Sequence, residues 1–342
     1  MVARTSNEEF ARAWVQFGGH VASVAKAMGT NERQAYKRRS TVEAALGIVL
    51  PSGRDITGRS KTTLPKQGFR HILKVTNGLV PVFSDGHFWP SDDRSAAYLA
   101  LLEIIREHKP PLVICNGDAF DGARIGRHPP TGWSNMPDVA EELAVCQERL
   151  GEIAALAKQG NPDCMLAWEM GNHDSRFSQR LAMSAPDYVR VHGTDLPDHF
   201  PDWSFAWSAL INGHTMVKHR FRAGVHAAWN NTLHSGMTIV TGHCHRLCVT
   251  PITDYNGRRW GVDCGTISEF GPEATKYTYG EDNPFNWGEG LAVLSFDERG
   301  VLAPPELVQV IDGKAWFRGQ VIAQKPQKAK ASRRAAPALA SR

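Results

Sequence analysis

The sequence predicts an α/β protein with a separate all-α module at its N-terminus. Three observations lead there. From Leu79 onward, short apolar runs alternate with longer amphipathic ones: "LVPVF", "RSAAYLALLEIIREH", "PLVIC", "DVAEELAVCQERLGEIAALAKQ", "CMLAWEM". This is the strand–helix rhythm of a parallel sheet covered by helices. The strand patterns end in polar residues, at the positions where open α/β sheets bind ligands. Upstream, residues 1–50 hold helical patterns only.

In chain order, Phe10, Trp14 and Phe17 recur at i, i+4 and i+7, and Gly18-Gly19 ends this first helix. Val21, Val24, Ala25 and Met28 make a second apolar stripe, closed by Gly29. A third helix begins in "TNERQAYKRRS", where either Thr30 or Asn31 caps, Ala35 and Tyr36 face inward, and Lys37-Arg38-Arg39 form a basic end. Two short helices joined by a Gly-containing turn resemble a helix-turn-helix. Its second helix would present Asn31, Arg33, Gln34 and Lys37 to a groove, with Lys37, Arg38 and Arg39 at phosphates. The competing reading is a small packing module whose charges are merely solvated. Residues 51–70 are rich in Gly, Pro, Ser and Thr and read as a linker. The α/β body follows over 71–320, and 321–342 read as a disordered basic tail without aromatics. Pro81 falls inside the first strand pattern, where its missing N–H suits a central strand badly. After residue 210 the strands crowd, in "HTMVKH", "GMTIVTG", "RRWGVDC", "GLAVLSF" and "PELVQVI", so the second half is richer in β-structure.

Composition narrows the class. The 342 residues are 42% hydrophobic and 22% charged, values of a soluble globular protein. No apolar run is long enough to span a bilayer, and the acidic start "MVARTSNEEF" is no secretory signal, which implies no membrane partner. The cysteines (115, 146, 164, 244, 248 and 264) are scattered, apart from the Cys244/Cys248 pair. Reduced thiols in a cytoplasm are expected. The net charge of +4 hides a segregation: residues 1–70 carry +7, residues 325–342 carry +6, and the stretch between them −9. Basic ends suit a polyanion such as nucleic acid, and an acidic body suits metal-binding carboxylates.

The strand exits supply the chemistry. The first ends in "SDGH" (Asp85, His87), the second in "NGDAFD" (Asn116, Asp118, Asp121) and the third in "GNHD" (Asn172, His173, Asp174). A later strand ends in "VKH" (His219) and the next in "TGHCH" (His243, His245). Any one of these motifs arises by chance. Five in series at strand ends do not. In order, they resemble the motif set of the calcineurin-like metallophosphoesterase superfamily: D-x-H, G-D-x-x-D, G-N-H-[DE], a lone H, and G-H-x-H. The resemblance covers about residues 78–300, and the chain is also similar in general look to phosphoesterases of tailed bacteriophages, which would place it in the host cytoplasm.

That resemblance implies a four-layer sandwich, two mixed sheets flanked by helices. It implies one divalent metal held by Asp85, His87, Asp118 and His245, and a second by Asp118, Asn172, His219 and His243. Oxygen and imidazole donors suit manganese, iron or zinc better than calcium, and manganese is expected first, with iron, zinc or nickel as alternatives. Water held between two such metals becomes hydroxide near neutral pH and attacks phosphorus in line. His173 would face the leaving oxygen as general acid or phosphate contact, oriented by Asp121 or Asp174. The lone histidine departs from the family pattern, because Arg220 follows it in place of glycine. His192, His214 and His226 are therefore rivals to His219, and Arg220 is a candidate phosphate grip. "GDAFDGARIG" lacks the Asp-Arg-Gly continuation of the family's protein phosphatases, and "HCHRLC" offers a competing zinc-thiolate reading. The aromatics Phe200, Trp203, Phe205 and Trp207, and those of "YTYGEDNPFNW", are candidates for base stacking. The expected activity is two-metal hydrolysis of a nucleic-acid phosphodiester. Alternatives are a small phosphoester or phosphoprotein substrate, or a DNA-binding regulator with an inert body.

Overall fold

Reciprocal capping opens the first helix of the computed structural model, which describes residues 5–48, 50, 67–90, 93–126, 136–189, 191–268 and 286–325. The Ser6 hydroxyl accepts from the Glu9 N–H, and Glu9 answers at the Ser6 N–H, starting α1 (Asn7–Gln16). Helix α2 (Val21–Ala27) and helix α3 (Glu32–Leu46) follow, with Asn31 capping α3 by accepting from the Gln34 N–H. Phe10, Trp14, Val24, Ala25, Ala35, Val42 and Leu50 form the core of this unit, residues 1–63. Two expectations need correction. Tyr36 is 53% exposed rather than inward, because one step along a helix turns 100° away from Ala35. Helix α3 does not end at Arg39 but runs two further turns, to Gly47 in left-handed conformation.

The second unit, residues 64–342, is a stack of layers. In chain order it contains β1 (Gln67–Gly68), β2 (His71–Leu73), β3 (Gly78–Phe83), α4 (Ala96–His108), β4 (Leu112–Cys115), α5 (Val139–Gly160) and β5 (Met165–Glu169). Then come α6 (Arg176–Ser184), β6 (Ser204–Ala206), β7 (Ala209–Ile211), β8 (Thr215–Val217), α7 (Ala227–Ser235) and β9 (Thr238–Thr241). The chain closes with β10 (Leu247–Asp254), β11 (Gly257–Cys264), β12 (Gly290–Phe296), β13 (Glu306–Ile311), β14 (Lys314–Phe317) and β15 (Gln320–Gln324). One sheet has the order β1-β6-β5-β4-β3-β12-β13-β14-β15, the other β10-β11-β9-β8-β7-β2.

Period-two alternation fixes which face each residue serves. On β3 and β4, Val80, Val82, Leu112 and Ile114 point into the layer between the sheets, where they meet Ile211, Val217, Val240 and Val262. Phe83, Val113 and Cys115 point the other way, into a core shared with α4 and α5. Each such fully buried aliphatic contributes about 1.5–3 kcal/mol. With α4 and α5 on one sheet and α7 on the other, the architecture is the four-layer sandwich. Pro81 does sit in a central strand. It pairs with Val293 of β12, and pairing with β4 starts only at Val82, past the missing N–H.

The segment boundaries also shift. Residues 51–66 of the expected linker lie outside the described residues, and the rest of it includes β1, paired with β6. The expected tail loses its first residues to β15, which pairs with β14; residues 326–342 lie outside the described residues. All six cysteines are free thiols.

Candidate metal centre

Five strand exits meet at one end of the sandwich. Strands β5, β4 and β3 are parallel neighbours in one sheet, and β8 and β9 are parallel neighbours in the other. Their following loops therefore converge. Asp85, His87, Asp118, His243 and His245 all adopt left-handed backbone, with φ between 38° and 71°. Asp and His tolerate this region better than most residues, and clusters of such conformations mark functional loops. Two glycines let the loops close. A Cβ on Gly171 would lie 2.0 Å from Asp118 Oδ1, and one on Gly242 would lie 2.0 Å from Ser84 Oγ.

The side chains gather into two linked groups. In the first, Asp85 Oδ1 lies 3.0 Å from His245 Nε2 and 3.7 Å from His87 Nε2, and the two Nε2 atoms are 3.2 Å apart. In the second, Asp118 Oδ2 is 3.0 Å from His219 Nε2, with His243 alongside. Surrounding groups orient these ligand candidates. His219 Nδ1 donates to the Asn116 carbonyl (2.7 Å), which leaves Nε2 free to face Asp118. His87 Nδ1 donates to Asp121 (2.9 Å), and Asp85 Oδ2 accepts from the Ser84 hydroxyl and the His243 N–H. Of the rivals to His219, His214 faces Thr215 and Gly300, His192 faces Asp198, and His226 is exposed.

His173 stands beside this pair of groups. Its N–H donates to Asp118 Oδ1 (2.7 Å), and its Nε2 lies 4.0 Å from Asp118 Oδ2. Nδ1 is 2.7 Å from Asp121 Oδ1, and Arg176 donates to Nε2 at 3.1 Å. Arg176 has no acceptor atom, so the ring proton sits on Nδ1 and is given to Asp121. Asp121 is thus the carboxylate that orients His173, and Asp174 is not. Asp174 is fully buried and accepts from the N–H groups of Asp118, Phe120 and Gly171 and from Trp168 Nε1, at 2.8–3.1 Å. It ties the loops after β4 and β5 together. Arg220 is exposed next to His219, and its charge acts on His243.

Electrostatics follow this packing. Burial favours the neutral ring of His219, but Asp118 and Asp85 overcome it and raise it to about 9. Burial and the charge of His219 push His243 down to about 4. Burial opposes ionisation of Asp121, yet hydrogen bonds from His173 and His87 hold it well below the usual carboxylate range. Asp174 is pushed up by burial and by the charge of Asp118.

The donor set fits divalent ions. Asp85 Oδ1, Asn172 Oδ1 and His219 Nε2 are buried with no hydrogen-bond partner, an arrangement that is costly unless something else engages them. Among the described residues, the groups with converging ligand atoms are Asp85–His87–His245, Asp118–His219–His243 and His87–Asp121–His173.

Residues 80–272, more than half of the chain, match the family model described as calcineurin-like phosphoesterase. The chain belongs to the calcineurin-like phosphoesterase family. It is accordingly a metal-dependent phosphoric ester hydrolase. Over 268 residues this phosphoesterase is 25% identical to the Gene 54 protein of Mycobacterium phage L5, spanning 71% of this chain and 97% of that protein. A single mutant of Vps29 from Entamoeba histolytica is 13% identical, with a TM-score of 0.36 over 70% of this chain and 96% of the other. A protein serine/threonine phosphatase from Saccharomyces cerevisiae with similarity to human phosphatase PP5 is 12% identical, with a TM-score of 0.34 over 72% of this chain and 85% of the other. No helix among the described residues is long and apolar enough to cross a membrane.

The other predicted site residues fare unevenly. Arg33 and Lys37 are exposed on α3. Arg38 instead turns inward, donating to the Thr5 and Ser6 carbonyls with its guanidinium 4.9 Å from the Phe10 ring centroid. Arg39 donates to Glu43 and to the Leu50 carbonyl and lies over Trp14. Asn31 uses its Oδ1 as the cap, and Gln34 Oε1 accepts from the Thr30 hydroxyl. Phe200, Trp203 and Phe205 pack around Trp168 in the core, so they cannot stack bases; Trp207 is 41% exposed. Of "YTYGEDNPFNW", residues 277–285 lie outside the described residues. Ser84 and the Asn116 carbonyl are the supporting groups that the motifs did not reveal. Arg176 follows "GNHD" within two residues, but a backbone carbonyl carries no sequence signal.

Proposed function

We propose that the chain hydrolyses phosphodiester bonds of nucleic acid with two divalent ions, manganese foremost. One ion would be held by Asp85, His87, Asp118 and His245, the other by Asp118, Asn172, His219 and His243. When bound, such ions neutralise phosphoryl oxygens and make water nucleophilic at neutral pH. The chain's own residues do the rest. Asp121 fixes the His173 ring, and a proton gained at Nε2 in place of the Arg176 contact would make it a general acid or phosphate contact on the side of Asp118 and the scissile phosphate. Arg176 and Arg220 supply positive charge at the rim.

The observation that carries the nucleic-acid reading is the run Lys218–Arg222 around buried His219. Arg220 and Arg222 are exposed, and Lys218 and Arg222 lie about the exposed Phe221 ring, at 6.0 and 5.8 Å from its centroid. Basic side chains interleaved with an aromatic face suit a phosphate backbone with unstacked bases. The segregated charge and the exposed Arg33 and Lys37 of α3 point the same way.

The test is a substrate panel with manganese: bis(p-nitrophenyl) phosphate, p-nitrophenyl phosphate, and single-stranded and duplex oligonucleotides. The expected result is hydrolysis of the diester and shortening of oligonucleotide, both lost in Asp118→Asn together with bound metal. Hydrolysis of the monoester alone, with oligonucleotides intact, would overturn the nucleic-acid reading and leave a small phosphoester as the substrate.

A further inference from the structure

A cleft of about 290 Å³ opens between the start of α7 and strands β10 and β11, lined by Val225, Trp229, Arg246, Cys248, Thr250 and Asp263. Small-molecule sites begin at about this size, roughly 300 Å³. Alternation along β11 explains its floor. Val262 and Cys264 fill the layer between the sheets, so Asp263 points to the opposite face, under α7. There it is 0% exposed, and neither carboxylate oxygen has a hydrogen-bond partner. Arg246 is the nearby cation, but it donates to the Val225 carbonyl and forms no ion pair with Asp263 among the described residues.

Burial and the charge of Asp85 push the Asp263 carboxyl up, and a ligand donating to both oxygens would favour the carboxylate again. Two oxygens on one carboxylate ask for two donors side by side. Trp229, 44% exposed at the lip, offers a flat apolar face to go with them. A planar ring with two adjacent N–H donors on one edge meets both demands. Among the common bases that edge is guanine's, with its ring N–H beside the exocyclic amine. Adenine and cytosine place an acceptor beside their amine, and uracil and thymine flank their single N–H with carbonyls. The cleft adjoins the metal centre, because Arg246 directly follows His245. A thiolate metal site is the other reading of this neighbourhood. Cys244, Cys248 and Asp263 do not form one of the converging ligand groups among the described residues.

We propose that this cleft is a nucleobase subsite selective for guanine, with Asp263 accepting from the base edge and Trp229 covering its face. The proposal rests on the nucleic-acid reading above, since it takes an unpaired base of the same strand whose phosphate is cut. Recognition of splayed bases by edge hydrogen bonds and aromatic stacking is the general mode for single strands.

Calorimetric titration of the full chain with nucleosides, which lack any phosphate for the metals, tests it. Guanosine should bind at least tenfold more tightly than inosine, adenosine or cytidine. Asp263→Asn should lose that preference while keeping its thermal midpoint. Trp229→Ala, at an exposed position, should weaken guanosine by roughly tenfold, and it carries the test if Asp263→Asn does not fold. Equal binding of all four nucleosides, a preference for adenosine or cytidine, or full guanosine affinity in either folded variant would overturn the subsite. Parallel cleavage of a mixed-sequence oligonucleotide separates the two readings. Cleavage without guanosine binding refutes the subsite and keeps the nuclease. Guanosine binding in the expected order without cleavage keeps the subsite and refutes the nuclease.

Discussion

Asp121 holds two imidazoles at once, His87 at 2.9 Å and His173 at 2.7 Å. It therefore couples a metal-ligand candidate to the residue proposed to act at the leaving group. The two roles are separable by mutation. His173→Ala should keep its metal and lose about 10²-fold or more in kcat, as expected for a lost general acid. Asp121→Asn should lower both the rate and the metal affinity, the latter by roughly tenfold, since it weakens the orientation of His87. Metal content by mass spectrometry beside steady-state kinetics reads both, and equal metal loss in the two variants would contradict this division. A second residue-scale expectation concerns Glu142. It is buried and accepts from the N–H groups of Gly122 and Ala123 at 2.7 and 3.1 Å, yet burial and the charge of Asp121 push it up to about 7. A carboxyl raised on folding contributes stability that is complete below its unfolded value and lost as pH rises through the folded one. Between about pH 4.5 and pH 7 the wild type should therefore lose stability relative to Glu142→Gln, by about 3 kcal/mol at most. Urea midpoints of the two proteins across that window measure it, and parallel curves would show that Glu142 does not titrate there.

At the scale of elements, the site depends on how loops are tied rather than on which residues they carry. Asp174 accepts four donors from the turns after β4 and β5 and from β5 itself. Asp174→Ala would leave those donors buried and unpaired, and should cost about 3–5 kcal/mol. Chemical unfolding would show this as a lower midpoint, whereas a small change would mean that water replaces the carboxylate. In the sequence Asp174 and Asp121 are equivalent candidate partners of His173, because both are carboxylates offered by the motifs at strand exits. Only the path of the backbone separates them. The strands that carry ligand candidates were legible because each is an apolar run of four to six residues ended by a polar motif, apart from the short β8. Strands β2, β6 and β7 span three residues each, too short for a period of two to show. The basic run of α3 misled for the opposite reason. The helix continues to Leu46, and its rotation lays Arg38 on Phe10 and Arg39 on Trp14. Arg38→Ala should consequently destabilise the N-terminal unit, as a lower melting midpoint of that unit, more than it weakens any polyanion contact.

Taken whole, the chain splits into two compact units. The ligand candidates all lie in residues 64–342, and the exposed Arg33 and Lys37 lie in residues 1–63. Removing residues 1–63 should leave hydrolysis of bis(p-nitrophenyl) phosphate within about twofold, because that substrate needs only the metal centre. The same truncation should weaken duplex binding, with a smaller salt slope from the lost phosphate contacts. Binding isotherms at several salt concentrations decide the matter. Identical curves for the two proteins would make residues 1–63 a packing or partner-binding element.

The positive φ angles of Asp85, His87, Asp118, His243 and His245 have a consequence for anyone who selects for heat resistance. Each places a side chain where glycine would be more comfortable, at about 1 kcal/mol or more apiece. Selection for thermal tolerance alone would therefore drift toward glycine at these five places and produce a hardier, silent protein. The same five positions are where a laboratory screen for heat resistance would most readily extinguish the enzyme.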